Sequence, residues 1–328
     1  AHHLLVYYET KNYMGPKMSQ RHFMHSYTSS NNSRSRVDRI QSKLIKEARL
    51  PSFVDLSPWM GPVKNQKDMN ICVAIAFTAA CEYMINRHTG EYIDLSCLFL
   101  NYNGRLVSSI ALASLDIGSS VKDTAIGLAQ FGICEEVIWR CNRRNLNRRP
   151  SGEAYARASQ LAVIVRRVPP ILADMKICLA KGIPFVASII LLESALYEAQ
   201  ERNGYISIPD SNDAGVRNAE LGHAVLVVGY NDETQHFLIR NSWGPHWAID
   251  GYCFIPYEYL LKPDLFLVAQ GFWAVVNISP RHRYPRPINK SILNNVKEPL
   301  TNYRHGPFID QAAHRLRPSF TRGIPIVF

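Results

Sequence analysis

Apolar residues in the first half of the chain recur at the spacing of α-helices. Residues 71–87 predict a strong helix, and the segments LSCLFLNYNGRL and SSVKDTAIGLAQFG predict two more, the second ending at Gly132. A shorter amphipathic helix is predicted at 37–45, inside an otherwise polar N-terminal segment.

The second half of the chain has a different pattern. Short apolar runs bounded by glycine, asparagine and aspartate predict strands at 185–190, 223–230, 236–241 and 251–256. Helices followed by strands predict an α+β protein of two lobes. We expect an N-terminal arm at 1–49, a folded domain at 50–279, and a basic, Pro-rich extension at 280–328. Within the domain, we expect a helical lobe at about 64–145 and a β lobe at about 160–279.

The net charge of +10 is concentrated at the two ends of the chain. Residues 1–50 hold 9 Lys+Arg against 3 Asp+Glu, and residues 281–328 hold 9 against 2, so the middle holds 19 against 22. Basic arms of this kind bind nucleic acid or an anionic surface, or they dock on the acidic body of the same molecule. No apolar run reaches the roughly 18 residues of a membrane span, and we find no clear signal peptide. Cytoplasmic, virion-associated and host-delivered locations all stay open.

The seven cysteines have no spacing typical of a zinc site, and their odd number leaves at least one thiol unpaired. This set is typical of a reducing compartment, or of a protein that keeps one reactive thiol. The chemistry therefore depends on which cysteine, if any, has the surroundings of a nucleophile.

Cys72 has such surroundings, because it lies at the start of the strongest predicted helix. Free backbone N–H groups and the helix dipole favour thiolate there, and a nucleophile also needs an imidazole to hold its proton. His223 is the candidate base, since it opens an apolar strand after Gly222; the alternative is a buried histidine bonded to a backbone carbonyl. Asn241 ends the next strand and is placed to orient the imidazole, and Trp243 is placed to shield that bond from water.

Three motifs in order, VKNQ-x5-C, GHAVLVVGY and RNSWGPHW, resemble those of the papain-like cysteine peptidases, clan CA family C1. Gln66 precedes Cys72 by six residues, His223 follows Cys72 by 151, and Asn241 follows His223 by 18, as in that family. The resemblance spans about 50–278. The stretches LSCLFLNYNGR and SVKDTAIGLAQFGICEEVIW are more similar to bacterial and viral members than to plant papain or lysosomal cathepsins.

The resemblance implies a papain-like fold, with a helical N-terminal lobe, a β-barrel-like C-terminal lobe and the active-site cleft between them. It implies hydrolysis of a peptide or protein substrate through a thioester acyl-enzyme, without a cofactor or a metal. Cys72 would be the nucleophile, His223 the proton carrier, Asn241 the residue that orients the imidazole, and Gln66 an oxyanion donor.

The resemblance also implies residues that bind substrate. Gly118 and Ser119 correspond to a glycine pair that binds the substrate backbone, with Ser119 expected to narrow the non-primed side. Gly222 is expected to leave an open approach beside the imidazole. Trp247 corresponds to a tryptophan of the primed side, and Trp243 to the tryptophan that shields the histidine–asparagine bond.

The residues around the nucleophile depart from the CGSCW motif of the family. The replaced positions are Met69, Asn70, Ile71 and Val73. Because the usual disulfide-forming cysteine is absent, we expect few disulfides or none. We expect the bulky Ile71 to restrict the cleft, and the changes together to alter specificity more than activity.

The two arms and the activity itself leave alternatives open. Residues 1–49 resemble a propeptide in position, which predicts a zymogen whose arm lies in the cleft. The 280–328 extension either packs on the second lobe or serves targeting, assembly or nucleic-acid binding. A catalytically silent papain-fold binding or assembly protein is the alternative to a peptidase, and an isopeptidase or transpeptidase would use the same residues.

Overall fold

The computed structural model describes residues 50–209, 222–267 and 270–280. Both basic arms, including the helix predicted at 37–45, lie outside the described residues. The predictions made for those arms therefore stay predictions.

Six α-helices are present in the described residues. They are α1 (Cys72–Thr89), α2 (Cys97–Ser108), α3 (Val121–Phe131), α4 (Gly152–Ala158), α5 (Leu172–Ala180) and α6 (Glu193–Glu201). The first three agree with the predicted helices. Serine side chains cap the N-termini of α2, α3 and α4, where the hydroxyls of Ser96, Ser120 and Ser151 accept a hydrogen bond from a first-turn N–H.

Helix α1 is largely buried among the described residues. Twelve of its side chains are buried, including Phe77, Cys81 and Tyr83. It ends at Gly90, which has the left-handed conformation (φ 79°) that glycine adopts without a steric cost. Because α1 packs against other helices and against the sheet, it is apolar almost all round.

Seven strands form one antiparallel sheet. They are β1 (Phe53–Asp55), β2 (Leu161–Val168), β3 (Phe185–Ile190), β4 (Gly222–Asn231), β5 (His236–Arg240), β6 (Tyr252–Pro256) and β7 (Phe272–Pro280). The order is β2-β7-β3-β4-β5-β6, and β1 pairs with the end of β4. Two 3₁₀ turns, Ser57–Trp59 and Tyr257–Leu260, complete the regular structure of the described residues.

The predicted α+β fold is confirmed, but the second lobe differs from the expected barrel. The described strands form an open sheet, with β2 at one end and β6 at the other. Strands β2 and β7, which were not predicted, pair over their whole length with a bulge between Ile164 and Val165. Among the described residues, no helix is long and apolar enough to cross a membrane.

Strand β4 positions the second lobe against α1. Its first half pairs with β3, where His223 lies opposite Ile189, and its later residues pair with β5. The strand is buried from His223 to Tyr230. The N-terminus of α1 and the start of β4 therefore meet at one place, where a helix end faces a strand end.

Candidate active site

The loop before α1 places Cys72 at the first position of the helix. The Met69 N–H donates to the Gln66 carbonyl at 3.1 Å, and the Ile71 N–H donates to the Met69 carbonyl at 3.0 Å. Ile71 is the N-cap residue and makes no side-chain capping bond. The first-turn N–H groups of α1 therefore receive no hydrogen-bond acceptor from the N-cap side chain, and they lie at the same end of the helix as the Cys72 thiol.

Met69 and Ile71 point into the core. Ile71 is fully buried and Met69 is 6% exposed, and both belong to the hydrophobic cluster around α1. The expectation that Ile71 narrows the cleft is wrong for this reason. The loop is held from outside by Asn70, whose side-chain amide donates to the Asp116 carbonyl at 3.0 Å.

His223 is held by Asn241, with 2.7 Å between the imidazole Nε2 and the amide Oδ1. The Ser242 N–H also donates to that Oδ1 at 2.8 Å, which identifies this atom of Asn241 as the acceptor. Nε2 must then carry a hydrogen, and Nδ1 is the ring nitrogen that remains for Cys72. Asn241 thus selects the ring orientation and tautomer in which the imidazole can take the thiol proton.

Two tryptophans cover this bond. The Trp243 ring stacks on His223, with centroids 4.7 Å apart and planes at 22°. Trp247 packs edge-on against Trp243 at 4.9 Å and is itself only 8% exposed. Trp243 therefore lies directly against the imidazole, and its predicted role of shielding the imidazole–amide hydrogen bond stays a prediction.

Cys72 and His223 change each other's proton affinity in opposite directions. Burial alone would raise the pKa of Cys72, but the hydrogen bond and charge of His223, with smaller contributions from the backbone at Ala224 and Val73, lower it. Burial alone would lower the pKa of His223, but its contacts with Cys72 and Asn241 raise it. Both shifts favour a thiolate–imidazolium pair over a thiol and a neutral ring.

Gln66 contacts Ser242, the residue after Asn241, and is fixed at both ends of its amide. Its Oε1 accepts a hydrogen bond from the Ser242 hydroxyl at 2.5 Å, and its Nε2 donates to the Met69 carbonyl at 3.2 Å. Its backbone N–H donates to the Ser242 carbonyl at 2.7 Å. Ser242, which the sequence reasoning did not single out, therefore contacts both Gln66 and Asn241.

A cavity of about 330 Å³ opens beside Cys72 and His223. Gly118, Ser119 and Gly222, the residues predicted to bind substrate, are among those that line it. The Ser119 hydroxyl donates to the Asn101 side chain at 3.3 Å and accepts from Thr124 at 2.9 Å, so that group is engaged by α2 and α3. Trp247 is not among the residues that line this cavity, and it packs edge-on against Trp243.

The cavity also includes residues that sequence reasoning missed. They are chiefly Ser188, Leu112, Ile117, Leu267 and Gln270. Ser188 carried a signal, because it is a serine inside the buried run of β3. The others lie in segments without regular periodicity, where the sequence does not show which side chains face a cleft. Within the described residues, no three His, Cys, Asp or Glu side chains group as metal ligands do.

Comparisons with known proteins by sequence and by structure all find similarity to cysteine proteases of one family. The family model described as papain family cysteine protease matches residues 190–259. Xylellain, a cysteine protease from Xylella fastidiosa, is 31% identical with a TM-score of 0.62, and the match covers 71% of this chain and 88% of xylellain. An uncharacterized peptidase C1-like protein of Acanthamoeba polyphaga mimivirus is 25% identical over 70% of this chain and 75% of its own length.

Mammalian relatives match over less of their length. Mouse cathepsin K is 25% identical, and the match covers 64% of this chain and 60% of cathepsin K. The higher identity to the bacterial protease and the longer match to the viral protein agree with the predicted similarity to bacterial and viral members.

Proposed function

The chain belongs to the papain family of cysteine proteases, and on that premise we propose that it is an active peptidase with Cys72 as nucleophile. The observation that carries the proposal is the position of His223, bonded to Asn241 through one ring nitrogen and to the Cys72 thiol on its other side. A silent binding module has no need of that alignment.

The reaction follows from the geometry in two steps. The Cys72 thiolate attacks the scissile carbonyl, the carbon becomes tetrahedral, and the carbonyl oxygen becomes an oxyanion. His223 then gives its proton to the leaving amine, which breaks the C–N bond and leaves a thioester on Cys72. Water attacks the thioester with His223 as base, and the acid product leaves with the thiol restored.

Two donors are available to the oxyanion. The Cys72 N–H is at the first position of α1, where a helical N–H has no acceptor within the helix. The Gln66 Nε2 has two hydrogens, of which the bond to the Met69 carbonyl uses one. Donors fixed before the reaction stabilise developing charge without reorganisation, which is why a held amide serves catalysis better than a free one.

The cavity beside Cys72 suggests what binds on the acyl side of the cleaved bond. Leu112, Ile117 and Leu267 supply apolar walls, and Gly118 presents backbone to an extended peptide. Gly118 has a φ of 74°, a conformation that side chains rarely adopt. An apolar side chain near the cleavage point is the substrate feature that fits these walls.

Residues 1–49 have, in this proposal, the role of an inhibitory propeptide. The support is the place of the arm in the sequence, before the folded domain, and its excess of positive charge, since the domain has slightly more acidic than basic residues. Removing the arm genetically should raise peptidase activity, and mass spectrometry across pH should detect its loss. An arm that is never lost, and whose deletion leaves activity unchanged, would end this part of the proposal.

Labelling with an epoxide-type thiol inhibitor tests the nucleophile. The wild type should be modified at Cys72, and His223→Ala should react far more slowly because the thiol loses its proton acceptor. A folded protein freed of residues 1–49 that shows no modification at Cys72 would favour the silent binding module instead. Hydrolysis, isopeptide cleavage and transpeptidation are then separated by supplying peptide, isopeptide and amine acceptors in turn.

A further inference from the structure

A second group of reactive side chains lies outside the catalytic cleft. Cys97, the first residue of α2, and Cys141 share a side-chain hydrogen bond and line one cavity of about 640 Å³. Cys97 is 1% exposed, whereas Cys141 is partly exposed, and both are free thiols. Nothing in the proposed peptidase mechanism uses either of them.

Backbone and side-chain bonds hold the two cysteine segments side by side. The Ser96 N–H donates to the Cys134 carbonyl at 2.9 Å, and the Glu136 N–H donates to the Asp94 carbonyl at 2.8 Å. The Ser96 hydroxyl donates to the Trp139 carbonyl at 2.5 Å.

On the Cys141 side, the Cys141 N–H donates to the Glu136 carboxylate at 2.5 Å. Hydrogen bonds therefore fix the chain on both sides of the two thiols.

A partly buried cation lies beside the pair. The Lys64 ammonium contacts Glu82 at 2.8 Å, Asp94 at 2.6 Å and the Leu95 carbonyl at 2.7 Å, and it lines the same cavity. Burial alone would lower the pKa of Lys64, but Glu82, Cys97 and Asp94 raise it, so the side chain stays charged. This charge lowers the pKa of both thiols, whereas the nearby Glu136 carboxylate raises the pKa of both.

The pKa values of the two thiols are shifted in opposite directions, as is expected of a nucleophilic cysteine and the resolving cysteine that later forms a disulfide with it. The hydrogen bond from Cys97 lowers the pKa of Cys141 against the effect of burial. The same bond, together with burial, raises the pKa of Cys97. The accessible sulfur is thus the one that favours thiolate, and the buried sulfur holds the proton.

The remaining cysteines outside the cleft have no such surroundings. Cys81, Cys134, Cys178 and Cys253 are buried. Burial raises the pKa of Cys134 to about 12 and that of Cys178 above its ordinary value. They are the internal controls for thiol reactivity in this chain.

We propose that Cys97 and Cys141 form an oxidative modification site, at which a peroxide reacts with Cys141 and the product is a Cys97–Cys141 disulfide. In the first step the Cys141 thiolate attacks a peroxide oxygen, the O–O bond breaks, and the departing hydroxide takes a proton to become water. In the second step the Cys97 sulfur attacks the Cys141 sulfenic acid, an S–S bond forms and the S–O bond breaks. The Cys97 proton leaves with that oxygen as a second water, so the two thiols lose two electrons and the peroxide gains them.

The disulfide would connect the start of α2 to the segment after Trp139 and close a loop of 141 − 97 = 44 residues. Closing a loop of this length restricts the unfolded chain and raises the melting temperature, here by about 5 °C or more. The cavity wall that it fixes also includes Lys67 and Met69, on the loop that precedes Cys72.

The test uses the full chain carrying Cys72→Ser, so that its outcome is independent of peptidase activity. The native protein is treated with hydrogen peroxide, quenched with N-ethylmaleimide, digested without reduction, and analysed by mass spectrometry. The expected product is a cross-linked peptide pair joining Cys97 to Cys141, about 2 Da lighter than the two thiol peptides and separated by a dithiol reductant. Without peroxide, Cys141 should alkylate in the folded protein, and the four buried cysteines should alkylate only after unfolding.

Cys72→Ser/Cys97→Ala is the matched control. It should stop at an oxidised Cys141 without a cross-link, and it should show no rise in melting temperature on oxidation. The proposal is overturned if peroxide yields no Cys97–Cys141 peptide in the Cys72→Ser protein, or if Cys141 alkylates no faster than Cys81 and Cys178. Both readouts come from the Cys72→Ser protein alone, so the test stands even if the control variant folds poorly.

Discussion

Ser242 offers a sharp test of how the site holds its oxyanion donor. Its hydroxyl donates to the Gln66 Oε1 at 2.5 Å, and its side chain is 2% exposed. Ser242→Ala removes that bond and keeps the backbone N–H that donates to Asn241. We expect the Gln66 amide to lose its fixed orientation while the imidazole keeps its own.

The expected loss is modest. An intramolecular hydrogen bond contributes about 0.5–1.5 kcal/mol net, and about 1.4 kcal/mol is tenfold in rate, so kcat/KM should fall roughly 2–12-fold. Gln66→Ala removes the donor itself and should lower kcat by about 10²–10³. Because Ser242 acts through Gln66, the double variant should be no slower than Gln66→Ala.

The assay is hydrolysis of a fluorogenic peptide, with thermal unfolding measured on each variant. Ser159→Ala is the control, since Ser159 is an exposed serine whose hydroxyl also makes a hydrogen bond, to the Ala156 carbonyl at 2.8 Å. It should leave kcat/KM unchanged. If Ser242→Ala costs the same factor in the Gln66→Ala background as in the wild type, Ser242 does not act through Gln66, and the reasoning fails.

Three further predictions concern the Cys72–His223 pair, Gly118 and Lys64. As pH increases, kcat/KM should rise at a pH below the ordinary pKa of a thiol, because the pKa of Cys72 is lowered. It should fall again at a pH above the ordinary pKa of imidazole, because the pKa of His223 is raised. Gly118→Ala should raise KM and lower the melting temperature, since alanine at a φ of 74° costs about 1–2 kcal/mol. Lys64→Met should lower the free energy of unfolding by about 3–5 kcal/mol in urea titrations, because it leaves the 1% exposed Glu82 side chain without its cation.

Each of these has a contradicting result. A rate profile with its acid limb at the ordinary pKa of a thiol would show that His223 does not stabilise the thiolate. Unchanged kinetics in Gly118→Ala would remove that backbone from substrate binding. Lys262→Met, which breaks an ion pair whose partners are 53% and 63% exposed, is the control for Lys64, and equal effects of the two would contradict the burial argument.

Much of the candidate site could be predicted from the sequence, because its residues lie in short motifs at fixed spacing. Cys72 begins a long apolar helix, and His223 and Asn241 are polar residues at the ends of apolar strands. Regular elements hold these positions, so their order along the chain predicts which ends meet. Helices α1, α2 and α3 were predictable for the same reason.

Side-chain direction in irregular segments was not predictable. Ile71 was expected in the cleft and is fully buried, because nothing periodic in a loop tells which way a residue points. Trp247 packs edge-on against Trp243, and its expected place on the primed side stays a prediction.

Strand pairing was the other part that the sequence did not show. Strand β2 contains Arg166 and Arg167 within LAVIVRRV, and its partner β7 lies more than a hundred residues away along the chain. The strand becomes evident only through that long-range pairing. Cys97 and Cys141, which lie 44 residues apart in the chain, were likewise not predicted to lie together.

The central claim is that Cys72 is the nucleophile of a peptidase. Its most direct test is a peptide-library cleavage profile of the wild type beside Cys72→Ala, with thermal unfolding showing that both proteins are folded. The account predicts cleavage by the wild type, with an apolar side chain preferred on the acyl side, and no cleavage by Cys72→Ala. Equal turnover by the two proteins, or no turnover by a folded wild type freed of residues 1–49, would contradict it.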